Sequence, residues 1–360
     1  MAKLSRRDFL RRSAAGLGAL TAAGILAACD RALSASTPPA AVPTDMAPAG
    51  VNNAPPPAST DTALPAAPTR AGVPPSAATV PAATATPRVV PDLAVAHGGS
   101  DPEALVRAAI AALGGMQVFV PSGAKVIIKP NICVAHPYQY AATTNPWVVG
   151  ALVKLALEAG AGSVQVMDSP YGCSQQEGYL TSGIRQQVEA AGGQMMYMSL
   201  FKYVNTPIPS GLDLKQLEVY EDILKADLVI NVPIAKDHGD TRLTLGMKNL
   251  MGVIKTRNIM HFNLGQRIAD LTSLIRPKLT VMDAVRILIA NGPSGGGDLN
   301  NVREKDTVIA GSDIVAVDSY ATGLFNLQPT DIAYIGAGAA MGLGRSDLQN
   351  LKIEQIPVGS

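Results

Sequence analysis

A chain of 360 residues with 29 Lys and Arg against 28 Asp and Glu has a net charge of +1 and no basic block beyond its first residues, so nucleic acid is not an expected partner. Its three cysteines include no Cys-x-x-Cys pair, so no zinc ribbon and no cysteine-ligated iron–sulfur cluster is expected from this chain alone. Past the N-terminal stretch, no segment is apolar and long enough to span a bilayer.

The chain opens on Ser5-Arg6-Arg7-Asp8-Phe9-Leu10, with Arg11 and Arg12 adding positive charge. An uncharged Ala- and Gly-rich stretch, Ala14 to Ala28, follows. It is shorter than the roughly 20 residues of a membrane span and has the charged start and small-residue end of a signal peptide. The Arg pair points to the twin-arginine translocase as the export partner. Leu26-Ala27-Ala28-Cys29 resembles a lipobox, in which Cys29 receives lipid after cleavage. Residues 1–28 are thus expected to be removed. Their five cations against Asp8 leave the rest of the chain near −3. Residues 30–91 carry 14 of the chain's 27 prolines and no aromatic residue. Such a segment buries too little apolar surface to offset its ordering entropy, so residues 29–91 are expected to be a lipid-anchored, disordered spacer. The expected location is the outer face of the cytoplasmic membrane.

Residues 92–360, about 270, suffice for a single large domain. Leu93–Ala96 predicts a strand. Pro102–Leu113 predicts a helix capped by Asp101 and stopped by Gly114-Gly115. A strand over Lys125–Lys129 ends at Pro130, and a helix over Pro146–Ala159 starts from Asn145. Val164–Met167 predicts a strand and Gln175–Ala191 one helix. Leu228–Val232 reads as a buried strand running out into a loop, Pro233 to His238. Thr244–Gly252 reads as an apolar helix interrupted by Lys248-Asn249. A helix over Leu264–Ile275, strands over Leu279–Met282 and Val308–Ala310, and a helix over Ile314–Phe325 follow. This alternation predicts an α/β fold, with a mostly parallel sheet and helices on both faces. Two glycine motifs lack their context. Gly292-Pro293-Ser294-Gly295-Gly296 precedes a polar loop instead of a helix, and Gly336-Ala337-Gly338 follows a helical segment, Pro329–Ile335, instead of a strand.

In sheets of this kind ligands sit beyond the carboxyl ends of the strands. There the sequence places Lys129 and Asn131, Asp168, Lys236 and His238, and Asp283, with Lys248 and Asn249 on the helix downstream. Lys129-Pro130-Asn131, Asp168-Ser169-Pro170, Asn231-Val232-Pro233 with Lys236 and His238, Lys248-Asn249 with Gly252, and Asp313 with Ala316-Val317-Asp318 resemble the blocks of the domain-of-unknown-function 362 family, over residues 92–357. The resemblance implies an architecture and leaves the reaction open. Many members carry an added ferredoxin module with clustered cysteines, which is not expected in this chain, so the iron–sulfur association is not carried over.

The expected roles follow from residue chemistry. Lys129, Lys236 and Lys248 hold negative charge, and Asn131 and Asn249 orient a small anionic ligand. Lys236 and His238 are the candidate catalytic groups. His238 is lowered in pKa by burial beside lysines and moves protons. Asp168 and Asp283 set the electrostatics or hold a cation, and His238, His261 and Asp283 are the candidate metal ligands. The cofactor stays unknown. Cys133 and Cys173 lie just past two strand ends that neighbouring would bring about 4.8 Å apart, within disulfide range, with two buried thiols as the alternative. The leading reading is an exported lipoprotein enzyme of unknown reaction. The rivals are a non-catalytic solute- or cofactor-binding lipoprotein and a redox-associated protein without its own cluster.

Overall fold

The computed structural model describes residues 89–359; the predicted signal, Cys29 and nearly all of the predicted spacer lie outside the described residues. Eight strands form the path of the main sheet. In chain order they are β1 (Leu93–His97), β2 (Lys125–Pro130), β3 (Ser163–Val166), β4 (Gln194–Met195), β7 (Leu228–Val232), β10 (Leu279–Leu288), β11 (Val302–Gly311) and β12 (Ile353–Pro357). They lie side by side as β12-β1-β11-β10-β7-β2-β3-β4. β11 runs antiparallel to both its neighbours, and every other pair on the path is parallel. β8 (Ile234–His238) pairs with the far half of β10 and with β9 (Arg242–Thr244). A separate hairpin joins β5 (Tyr203–Pro207) to β6 (Gln216–Tyr220).

Alternation along the strands sorts side chains into two cores. Val126, Ile128, Val164, Ile230 and Val281 face one layer, made by α1 (Pro102–Ala112), α2 (Pro146–Glu158) and, after α3 (Gln175–Thr181), α4 (Ile184–Ala190). Ile127, Met167, Val229, Met282 and Ile309 face the other. After α5 (Glu221–Leu224) and α6 (Gly246–Asn249), that second layer is built by α7 (Leu264–Ile275), α8 (Ile314–Thr322) and α9 (Ala333–Ala340). Helices therefore cover both faces, as the strand–helix alternation predicts. On α1, Leu105, Val106, Ala109 and Ile110 are buried, the 3.6-residue stripe expected of a covering helix. Each fully buried Leu, Ile or Val contributes about 1.5–3 kcal/mol. Asp101 accepts from the Glu103 N–H and Asn145 from the Trp147 N–H, so both predicted caps form.

Four local differences matter. The helix expected over Gln175–Ala191 is two helices, because Ser182-Gly183 breaks it with Gly183 at φ 76°. The predicted loop Pro233–His238 is strand β8, drawn into the sheet by β10. β10 runs on past Met282 to Leu288, which moves Asp283 from a strand end to the middle of a strand. The segment around Lys248 is a single α-turn followed by a 3-10 turn, Leu250–Val253. Gly292-Pro293-Ser294-Gly295 lies in the loop between β10 and β11, and Gly336-Ala337-Gly338 lies inside α9. No helix among the described residues is long and apolar enough to cross a membrane.

Candidate functional site

The carboxyl ends of β2, β3 and β8, together with α6 and the turn after it, enclose a cavity of about 250 Å³. Its wall includes Lys129, Asn131, Asp168, Lys236, His238, Lys248, Asn249 and His261, residues spread over more than a hundred positions of chain. One predicted site residue is not there. Asp283 is fully buried in β10, where one carboxylate oxygen accepts from the Asn145 N–H (2.7 Å) and the other from the Val285 N–H (3.0 Å). Both oxygens brace the start of α2 and the strand itself. Burial raises its pKa to about 7, against the pull of those two N–H bonds. The expected metal set His238, His261 and Asp283 therefore does not assemble. Among the described residues no three His, Cys, Asp or Glu converge as metal ligands.

Part of the cavity wall is a connected polar network. The Lys129 ammonium pairs with Asp168 Oδ1 at 2.7 Å and donates to Asn249 Oδ1 (2.9 Å) and to the Pro130 carbonyl (2.8 Å). These three partners match its three protons. Asp168 Oδ2 accepts from the Ile132 N–H. Asn131 Nδ2 also donates to Asn249 Oδ1, while Asn131 Oδ1 accepts from Lys236 Nζ at 2.8 Å. Lys236 further donates to the Ala142 carbonyl. Asn249 Nδ2 donates to Asn231 Oδ1, and Asn231 Nδ2 to the Gly246 carbonyl. Burial lowers the pKa of Lys129 while Asp168 raises it; burial likewise lowers that of Lys236, which lies beside Cys133. Asn131 and Asn249 thus hold the lysines and each other.

The open part of the wall differs. The Lys248 side chain, on α6, has no hydrogen bond and no ion pair among the described residues, although most of its surface is buried. Burial, then Lys236, lower its pKa to about 8. α6 is anchored by Asp318 of α8, whose carboxylate accepts from the N–H groups of Gly246 (2.6 Å) and Met247 (2.8 Å). His238, on β8, has its pKa lowered to about 4 by burial and then by Lys248, so it is neutral near pH 7. Its Nδ1 accepts from the Asp240 N–H at 3.1 Å. That bond places the imidazole proton on Nε2, so the ring offers a donor there instead of the base expected from the sequence. The buried Thr244 hydroxyl also lines the cavity and has no hydrogen-bond partner.

Sequence reasoning missed Arg257. It lies in the stretch between two 3-10 turns, donates to the carbonyls of Met251, Ser169 and Pro170, and lines the cavity. Three of its five N–H donors are held this way. No periodicity marks it; the signal is only a charged residue in the loop that follows Gly252. With their lysines protonated, Lys129, Lys236, Lys248 and Arg257 outweigh Asp168 and Asp240 by two charges. β2 and β3 are neighbours as expected, yet Cys133 and Cys173 are free thiols.

A family model described as Domain of unknown function (DUF362) matches residues 126–323, more than half of the chain. A thylakoid-associated protein of Synechocystis sp. is 28% identical over 258 residues, which are 67% of this chain and 75% of that protein. Two solved structures show distant likeness. The lactate racemase apoprotein of Thermoanaerobacterium thermosaccharolyticum has a TM-score of 0.38 at 13% identity, over 59% of this chain and 53% of that one. A protein of Thermotoga maritima has a TM-score of 0.41 at 12% identity, over 64% and 60%. The chain thus spans little more than half the length of either structure.

Proposed function

The chain belongs to the DUF362 family, whose description assigns no reaction, and from the chemistry of its cavity we propose that it is an enzyme acting on a small organic anion, exported and held at a membrane surface by lipid. The observation that carries the reading is Lys248, a mostly buried lysine whose side chain has no hydrogen bond or ion pair among the described residues, at the wall of a small cavity. A buried charge without a counter-charge is costly, and an anionic ligand supplies that counter-charge. Arg257 adds two donors, and the neutral His238 ring adds its Nε2–H. A lysine drawn down to about 8 stays mostly charged near pH 7, which suits anion binding, and keeps a neutral fraction able to take a proton, which supports the catalytic reading.

Export and anchoring rest on Arg6-Arg7, the apolar stretch to Ala28 and the cysteine after it. The Synechocystis relative is named as thylakoid-associated, which supports membrane association in general and says nothing of export.

Oxalate is a suitable probe, because it is a compact dianion with no reactive carbonyl carbon. Calorimetric titration is expected to show oxalate binding to the wild type and loss of about 30-fold in affinity in Lys248→Met, the effect of removing one partner of a desolvated charge pair. Equal affinity in the two proteins would remove Lys248 from the site.

A further inference from the structure

We infer that the unpartnered Lys248 amine is a nucleophile that joins the carbonyl carbon of a small 2-oxo acid as an imine, with the acid's carboxylate on Arg257 and its carbonyl oxygen against His238. The inference rests on the reading of this cavity as an anion site and names the substrate class. Three lysines line the cavity, and their surroundings separate them. Lys129 is bound by Asp168, Asn249 and a backbone carbonyl, and Lys236 by Asn131 and another carbonyl. Neither can leave its partners without stranding buried groups. Lys248 has no such bonds among the described residues, so its nitrogen can approach a ligand carbon without breaking the scaffold.

An amine attacks a carbonyl only when neutral. Lysines become nucleophilic when they are desolvated or sit beside another cation. Both conditions hold here. The charged and titratable groups around Lys248 are Lys236, Arg257, His238, Asp240 and the Cys133 thiol, and the two neighbouring cations disfavour a third. The resulting pKa of about 8 leaves roughly a tenth of the amine neutral at pH 7, against well under a thousandth for an ordinary lysine.

The same cavity selects the electrophile. Its excess positive charge favours a carboxylate, its size of about 250 Å³ favours a few-carbon acid, and the Nε2–H of neutral His238 polarises a carbonyl oxygen. The Lys248 nitrogen lone pair forms the C–N bond while the carbonyl π pair moves to oxygen, and His238 hydrogen-bonds that oxygen. A proton passes from nitrogen to oxygen to give a neutral carbinolamine. The C–O bond then breaks, the second amine hydrogen leaves with the hydroxyl as water, and the nitrogen pair closes the C=N bond. No electrons are gained or lost overall, so no oxidant or reductant is needed.

The test uses the full processed chain with glyoxylate and cyanoborohydride at pH 7, followed by peptide mass spectrometry. Cyanoborohydride reduces an imine to a stable secondary amine. Lys225, whose side chain is 64% exposed, is an internal reference. Lys248 is expected to be alkylated at least about tenfold faster than Lys225, a margin set by its larger neutral fraction. Oxalate is expected to slow the labelling of Lys248 and not of Lys225. The Lys248→Arg protein, checked for a normal thermal melt, is expected to label only at exposed lysines. Labelling of Lys248 no faster than Lys225 overturns the imine. If oxalate still binds in that case, only the imine and the 2-oxo acid class fall and the anion site stands. If oxalate binding is absent as well, both readings fall.

Discussion

A methyl group on residue 252 would sit 2.0 Å from Asp168 Oδ1 and 2.5 Å from Lys129 Nζ, so the turn after α6 passes over the buried ion pair with room only for glycine. Gly252→Ala is therefore expected to displace that pair and cost about 3 kcal/mol in a urea denaturation series, from overpacking and a loosened ion pair. The lysines make a sharper contrast. Lys129→Met leaves Asp168 buried without its cation and is expected to cost about 3–5 kcal/mol. Lys248→Met removes a buried charge that has no partner among the described residues, so it is expected to change stability by less than about 1 kcal/mol or to raise it. Equal destabilisation by the two substitutions would make Lys248 a structural residue.

At the scale of elements, α6 is too short to hold its own position. Asp318 fixes it from α8 by accepting from the first N–H groups of the turn. Burial raises the Asp318 pKa from 3.8 to about 8. Between those values the folded protein keeps a proton that the unfolded chain has released. Stability contributed by this group therefore falls as pH rises from about 4 to about 8, on the order of 1.4 kcal/mol per pH unit. Asp318→Asn cannot titrate, so thermal melts across that range are expected to show a flatter pH dependence than the wild type. Parallel curves for the two proteins would contradict this. The variant also loses an acceptor, which lowers its stability at low pH by about 1–3 kcal/mol.

The elements that were legible in the sequence carry local signals. Asp101 and Asn145 announce α1 and α2, and the apolar stripe of Leu264–Ile275 gives α7 its full extent. What was not legible depends on distant partners. β8 reads Ile-Ala-Lys-Asp-His, a polar run that becomes a strand because β10 and β9 lie on either side of it. The extension of β10 through Asp283 likewise depends on distant partners, β11 and β8, which pair with it there. β12 is an edge strand near the C-terminus that forms against β1. The residues of the cavity could be placed by the rule that ligands lie beyond strand ends. Their division into connected scaffold and unpartnered Lys248 could not, because Asn131 and Asn249 meet across 118 positions.

For the whole molecule, the proposed membrane attachment rests on Cys29, which lies outside the described residues. Cys29→Ser is expected to move the chain from the membrane pellet to the soluble fraction. Lys in place of both Arg6 and Arg7 is expected to leave it unprocessed in the cytoplasm. Pelleting that is unchanged in Cys29→Ser would contradict the lipid anchor. The proposed anion site depends on one lysine, Lys248, whose side chain has no hydrogen bond or ion pair among the described residues. The most direct measurement is oxalate affinity as a function of pH, from about 6.5 to about 9.5, where oxalate keeps a constant charge and Lys248 titrates. Affinity is expected to decline as pH rises through about 8 in the wild type, because the neutral amine no longer attracts the anion, and to be weaker with a flatter pH dependence in Lys248→Met. Affinity that stays constant across this range in the wild type, or a Lys248→Met curve that overlays it, would contradict the account.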